Sequence, residues 1–394
     1  MAEHRHRRQA RRSFLGLAAA GLGLLVAGCQ MIPSERPRPP IEIEPEPIPA
    51  PAPRPEPAEE RNQVAVLVPL TGQNAGVGQS IANAANLALL DTGGKEIRIT
   101  VYDTAGGAQA AAARALAEGN GLILGPLLAQ DVRAVAPVAR QAGVPVIAFS
   151  NDVSVAGNGV YLMGFSPIHS IERVVRYART QNVERFAGLA PDGDYGRRSS
   201  QALIAAVERS GGRVVAMQTY SGTPQSLRSA VTRLNGQSGY DAVLIADTGR
   251  AAAGAAPLIR SGPSPEAKIL GTEIWKTEAN LGANPALRGA WFASVPDTMF
   301  NQLRTRYRAR YGRTPYRLAS LGYDGILLAV RIGRDWRFAR PFPERELRSD
   351  EGFAGVDGAF RFGRDGVAER SLEVLQVGAG GATIVSPAPR GFGD

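Results

Sequence analysis

A catalytic triad in the body of this chain would have to use His169, because the other two histidines, His4 and His6, stand in the first few residues. A hydroxyl nucleophile needs a base within hydrogen-bond reach, and that base needs a third group to hold it. Nothing near His169 has the form of a Gly-x-Ser-x-Gly turn. Glu172, at i+3, gives it one partner ligand, fewer than a zinc ion takes. A histidine at a helix start on the surface is the simpler reading. Gly72, Gly76 and Gly78 do not have the dinucleotide-loop spacing, and no Gly-Lys-Ser/Thr follows a glycine turn. Asp192 and Asp194 fall within one turn, where helix capping is commoner than paired-carboxylate catalysis. The residue types point away from an enzyme, and no metal or cofactor is expected.

Cys29 offers a different chemistry. Arg5, Arg7, Arg8, Arg11 and Arg12 precede an apolar run from Phe14 to Gly28, and Val26-Ala27-Gly28 leads into the chain's one cysteine. This resembles a bacterial lipoprotein signal, in which residues 1–28 are removed and the cysteine is lipidated. The run is shorter than the ~20 residues of a bilayer span. Arg11-Arg12-Ser13-Phe14-Leu15 also resembles a twin-arginine export motif, though paired arginines are common in ordinary signals. Without a second cysteine no intramolecular disulfide can form, so stability has to come from an apolar core.

Residues 29–61 read as a linker. From Glu44 to Pro57 proline occupies nearly every second position, which favours extended polyproline II and leaves nothing to bury. At about 3.1 Å per residue, such a spacer reaches at most roughly 90 Å. It serves equally as a tether across an envelope or as a plain solvated spacer. Beyond it, residues 62–394 hold 36 basic and 28 acidic side chains, a net charge of +8. An exported protein has little occasion to meet nucleic acid, so an acidic partner or anionic surface is the more reasonable use of that charge. A dispersed, solvated face is the simplest.

The elements that would position any site alternate. Val64 to Val68 is a continuous β-branched run, the pattern of a strand covered on both faces. Helix is expected over about 79–91, strand over 97–102, helix over 108–118, strand over 122–124, helix to about 141 and strand over 144–149. After His169 the rhythm restarts, with helices near 171–180, 195–209, 225–234 and 250–259. Strands at 185–189, 213–219, 242–246 and 269–270 separate them. Repeated β-α units imply parallel sheets with helices on both faces. Two series imply an α/β protein of two doubly wound, Rossmann-like lobes with a cleft between them, where ligands meet the carboxyl ends of strands.

The loops at those strand ends carry polar or turn-forming residues. Thr71 follows the first strand, Leu127 the third, and Ser150, Asn151 and Asp152 the fourth. In the second series come Tyr195, then Asp247 and Thr248, then Glu273. Each loop alone is a helix cap or turn; their shared edge makes them a candidate ligand-binding set.

Val64 to Leu90, Leu122 to Asp152 and Asp194-Tyr195-Gly196 resemble type I periplasmic binding proteins of the leucine-binding family. Within it, Pro285 to Phe292 and Leu318 to Gly325 are most similar to the penicillin-binding protein activator lipoproteins. The resemblance implies a three-stranded hinge, a first lobe of 62–165 plus 290–335, and a second of 166–289 plus 336–394. It implies that Tyr195 and Glu273 stand where amino-acid binders keep an aromatic and an ammonium-binding acid. Leu128-Ala129 stands where many of them offer a hydroxyl, and Asp152 would repel a ligand carboxylate. Two functions follow from the likeness. One is a non-enzymatic, lipid-anchored regulator facing the periplasm, whose partner is a peptidoglycan synthase; Gln30 after Cys29 agrees with the outer membrane. The other is the substrate-binding protein of an ABC permease, taking an amino acid or another small polar solute.

Overall fold

The computed structural model describes residues 61–392, apart from Ser238 and Ala279. The expected signal, Cys29 and the linker lie outside the described residues.

The first lobe is built from β1 (Asn62–Val68), α1 (Ala75–Asp91), β2 (Ile97–Asp103), α2 (Ala108–Ala117), β3 (Asn120–Leu124), α3 (Ala129–Gln141), β4 (Val146–Ala148) and β5 (Val160–Leu162). All five strands run parallel in the order β2-β1-β3-β4-β5. Residues 64–68 are fully buried, as their unbroken apolar run requires. Val64, Val66 and Val68 face one core, and Ala65 and Leu67 face another that contains α2 and α3. Alternation along one strand thus feeds both faces of the sheet.

The chain then crosses to α4 (Pro167–Thr180), where Ser166 caps the helix by accepting a hydrogen bond from Ile168 N and Pro167 supplies the first helical residue. There follow β6 (Arg185–Pro191), α5 (Asp194–Arg209), β7 (Arg213–Tyr220), α6 (Pro224–Asn235), β8 (Ala242–Ile245), α7 (Gly249–Arg260), β9 (Lys268–Gly271) and β10 (Trp291–Ser294). Their order, β7-β6-β8-β9-β10, repeats that of the first sheet. Helices α6 and α7 pack on one face and α4 and α5 on the other.

After β10 the chain returns to the first lobe as α8 (Thr298–Tyr311) and α9 (Ala319–Gly333), the latter packed along α1. A small antiparallel sheet follows, β11 (Phe353–Gly355), β12 (Gly358–Phe362) and β13 (Ala368–Arg370). Its Phe353, Phe360 and Phe362 belong to the core that holds α1 and α9. Only then does β14 (Glu373–Gly378) cross back, pairing antiparallel with β10, and β15 (Gly381–Ser386) completes the seven-stranded sheet.

The chain therefore passes between lobes three times, near 163–166, 295–297 and 371–372. Two expected boundaries fall elsewhere. Residues 290–294 stay in the second lobe, because Trp291 and Phe292 pair with β9 and β14. Residues 336–370 stay in the first, because Trp336, Phe342, Leu347 and the aromatic sheet residues are part of its core.

Candidate binding cleft

The carboxyl ends of both parallel sheets face a cavity of about 480 Å³ between the lobes, well within the range of small-molecule sites. The first lobe contributes Val77 from α1, Leu127 and Leu128 ahead of α3, Phe149 after β4, and Leu318 ahead of α9. The second contributes His169 and Ser170 from α4 and Glu273, Ile274 and Lys276 after β9. The hinge crossings add Phe165, Val295, Arg370 and Leu372. Every crossing supplies a wall residue, so the cavity's shape is tied to the hinge.

Of the residues the sequence singled out, Leu127, Asn151 and Glu273 line this cavity. The others are placed nearby but engaged. Thr71 Oγ1 donates to Asp103 Oδ2 at 2.9 Å on the exposed side of its loop. Ser150 is buried and its Oγ accepts from Asp152 N at 3.1 Å. Thr248 caps α7, accepting from Ala251 N. The Asp247 carboxylate accepts from Tyr220, and its backbone oxygen accepts from Trp275 Nε1 at 2.8 Å. Tyr195 stands behind the wall, with its hydroxyl 2.8 Å from Thr272 Oγ1 and 3.2 Å from Glu273 Oε1.

Asp152 is not among the residues that line the cavity. Its carboxylate is held by Arg133 of its own lobe at 2.9 Å and by Arg198 of α5 at 2.8 Å. Burial pushes its pKa up, but hydrogen bonds from Ser154 and the two guanidinium groups outweigh that and hold it below the usual value. The pair with Arg198 joins the lobes across the cleft mouth.

Glu273 is nearly enclosed, and burial raises its pKa above the ordinary carboxylate value although Ser170 and Tyr195 donate towards it. Ser170 Oγ has one proton and two acceptors in reach, Glu273 Oε2 at 2.5 Å and Pro167 O at 3.0 Å.

His169 is not the surface residue its sequence context suggests. It lines the cavity, and burial lowers its pKa against the pull of Glu172, Glu369 and Asp365. Arg317, in the loop before α9, and Arg370, in β13, stand outside the strand-end loops that the sequence singled out. Arg317 Nη1 lies 2.5 Å from Asp357 Oδ1, and Arg370 Nη2 donates to Met163 O at 2.6 Å. With Asp324 and Asp357 fully enclosed beneath them, these arginines form a buried charge cluster at the cavity floor. Among the described residues no group of three His, Cys, Asp or Glu side chains is placed to hold a metal ion, and no helix is long and apolar enough to cross a membrane.

Two doubly wound lobes, joined by three crossings, flank a cavity at the carboxyl ends of their strands. The chain belongs to the periplasmic binding protein family, whose model matches residues 62–382. A crystal structure from Rhodospirillum rubrum, ascribed to branched-chain amino acid ABC transport, superposes with a TM-score of 0.71 at 20% identity, covering 82% of this chain and all of that one. The C-domain of LpoA from Haemophilus influenzae, a regulator of PBP1A, superposes with a TM-score of 0.66 at 21% identity over 82% of this chain and all of that domain. This chain spans 59% of full-length LpoA. An uncharacterized protein of Rickettsia prowazekii is 23% identical over 175 residues, 44% of this chain, and the match spans about half (47%) of that relative.

Proposed function

We propose that this protein is a non-enzymatic, lipid-anchored envelope member of its family that regulates peptidoglycan synthesis by docking on a peptidoglycan synthase, as a counterpart of the LpoA C-domain. The observation that carries the reading is that the cleft's acidic position is already engaged within the protein. A zwitterion needs an anion for its ammonium and donors for its carboxylate. Here the acidic position, Glu273, is enclosed and occupied by Ser170 and Tyr195. The first-lobe wall presents Leu127 and Leu128 rather than hydroxyls. Burying a charged ligand without such partners costs several kcal/mol, on the order of an unpaired buried ion. The alternating-proline sequence from Glu44 to Pro57 supplies the reach that a partner in the opposite membrane demands.

Crosslinking of the full chain in native envelopes, followed by identification of the adducts, tests this. A peptidoglycan synthase is expected among them, and the purified synthase is expected to polymerise glycan faster when this protein is added. Recovery of an ABC permease with no synthase would instead support a substrate-binding role in transport. That second reading is favoured by the size of the cavity and by the likeness to the Rhodospirillum protein.

A further inference from the structure

We infer that the exposed arginine face of α8, on the first lobe, docks on an anionic phospholipid surface. This goes beyond the regulatory reading and does not depend on it.

Helix α8 has two unlike sides. Phe300, Leu303 and Tyr307 turn into the first-lobe core at helical spacing. Two tyrosines fasten the helix to α1, with Asn83 Nδ2 donating to the Tyr307 hydroxyl at 3.0 Å and the Tyr311 hydroxyl donating to Asn83 O at 2.9 Å. The rest of the helix and the turn after it carry Arg304, Arg306, Arg308, Arg310 and Arg313, all exposed. No aspartate or glutamate occurs from 298 to 316. Of the five arginines, only Arg306 pairs with a carboxylate among the described residues, Asp91 Oδ2 at 2.8 Å.

Folding does not account for this pattern. Arg308 and Arg310 stand in the last turn, where cations offset the helix dipole. Arg304 lies before that turn and Arg313 beyond the left-handed Gly312. Arg304 and Arg308, like Arg306 and Arg310, are four residues apart, a spacing at which like charges weaken a helix. An external anion removes that repulsion.

Three large apolar side chains stand exposed on or beside the same face: Met299 in the first turn, Tyr316 after the helix, and Leu90 next to the Asp91 that Arg306 binds. Outward arginines with apolar side chains among them match a headgroup layer. Guanidinium forks take phosphate oxygens there, and apolar groups sink to the acyl boundary. A specific protein interface uses charges of both signs to fix one register. This face has one sign only, and a fluid headgroup layer demands no register.

Co-sedimentation with vesicles tests the inference, using the full chain with Cys29→Ser in every arm so that no acyl chain anchors it. Vesicles of phosphatidylcholine are compared with vesicles of equal parts phosphatidylcholine and phosphatidylglycerol. The parent should prefer the anionic vesicles and lose that preference near 1 M salt, where the screening length falls to about 3 Å. The triple change Arg304→Gln, Arg308→Gln and Arg310→Gln should weaken anionic binding about a hundredfold, at about fivefold per arginine. A control, Arg213→Gln, Arg228→Gln and Arg250→Gln, removes as much charge from exposed positions of the second lobe. It should weaken binding by less than about fivefold. Circular dichroism of both variants separates loss of the face from loss of the fold. No preference for anionic vesicles in the folded parent, or equal losses in the two variants, would overturn the inference. So would unchanged vesicle binding in the α8 variant together with lost crosslinking to a synthase, which would assign the arginines to a protein partner. Vesicle binding in a protein that captures no synthase would leave this inference standing and remove the regulatory role alone.

Discussion

At the scale of single residues, the site is governed by which charges have been silenced. Glu273 is the sharpest case, since the same side chain would be an ammonium ligand if it were ionised and open. Its folded-state pKa is raised by burial, so the folded protein holds a proton that the unfolded chain releases above the ordinary value of 4.5. Stability from this group is therefore complete below that value and falls as pH rises through it. Glu273→Gln removes the penalty while keeping the shape. Its melting temperature should match the parent's at pH 4 and exceed it by about 2 °C or more at pH 8. A variant that melts below the parent at pH 8 would show that the carboxylate is ionised and used. Asp324 belongs to the same class: burial first, then Asp357, pushes it up to about 7.

At the scale of elements, two glycines fix how closely the helix after each lobe's first strand approaches that strand. A Cβ on Gly78 would lie 1.8 Å from Pro69 O, and one on Gly196 would lie 1.7 Å from Pro191 O. These are equivalent places in the repeated topology, so the two lobes share one packing solution. Gly78→Ala and Gly196→Ala should each destabilise by about 3 kcal/mol or more in chemical denaturation, because backbone rather than a flexible side chain must move. A loss below 1 kcal/mol or so would mean the helix can slide away.

Between elements, the Arg198–Asp152 pair links α5 to the loop after β4. Asp152 has a depressed pKa, so the link is complete above the ordinary aspartate value of 3.8 and is lost as pH falls below it. Arg198→Ala removes an ion pair worth about 1 kcal/mol. It should widen the spacing of the lobes in solution X-ray scattering at neutral pH while leaving each lobe's helix content intact. Identical scattering from parent and variant would assign lobe closure to the apolar contacts of Phe165 and its neighbours instead.

At the scale of the whole molecule, the sheets were legible because a buried parallel strand leaves a short, continuous, β-branched apolar run bounded by turn residues. Val64 to Val68 and Ala242 to Ile245 are such runs. The lobe boundaries were not, because the hinge is a property of pairing. Nothing local in Trp291-Phe292-Ala293-Ser294 says that it joins β9, and nothing local in 353–370, expected in the second lobe, says that its aromatic residues pack into the first. The cleft followed the same division. Loops at strand ends located it and gave Leu127, Asn151 and Glu273, while His169, Arg317 and Arg370 came from a helix start, a loop before α9 and a hinge strand.

The cross-lobe arrangement also changes what the strand-end polar residues do. Thr71, Ser150, Asp152, Tyr195, Asp247 and Thr248 spend their hydrogen bonds on caps, on each other or on the opposite lobe.

Isothermal titration calorimetry of the full chain against the twenty amino acids is the most direct check between the regulatory reading and transport. No amino acid should bind more tightly than about 1 mM, which corresponds to roughly −4 kcal/mol. Micromolar binding of any one of them, abolished by Glu273→Ala, would contradict the account.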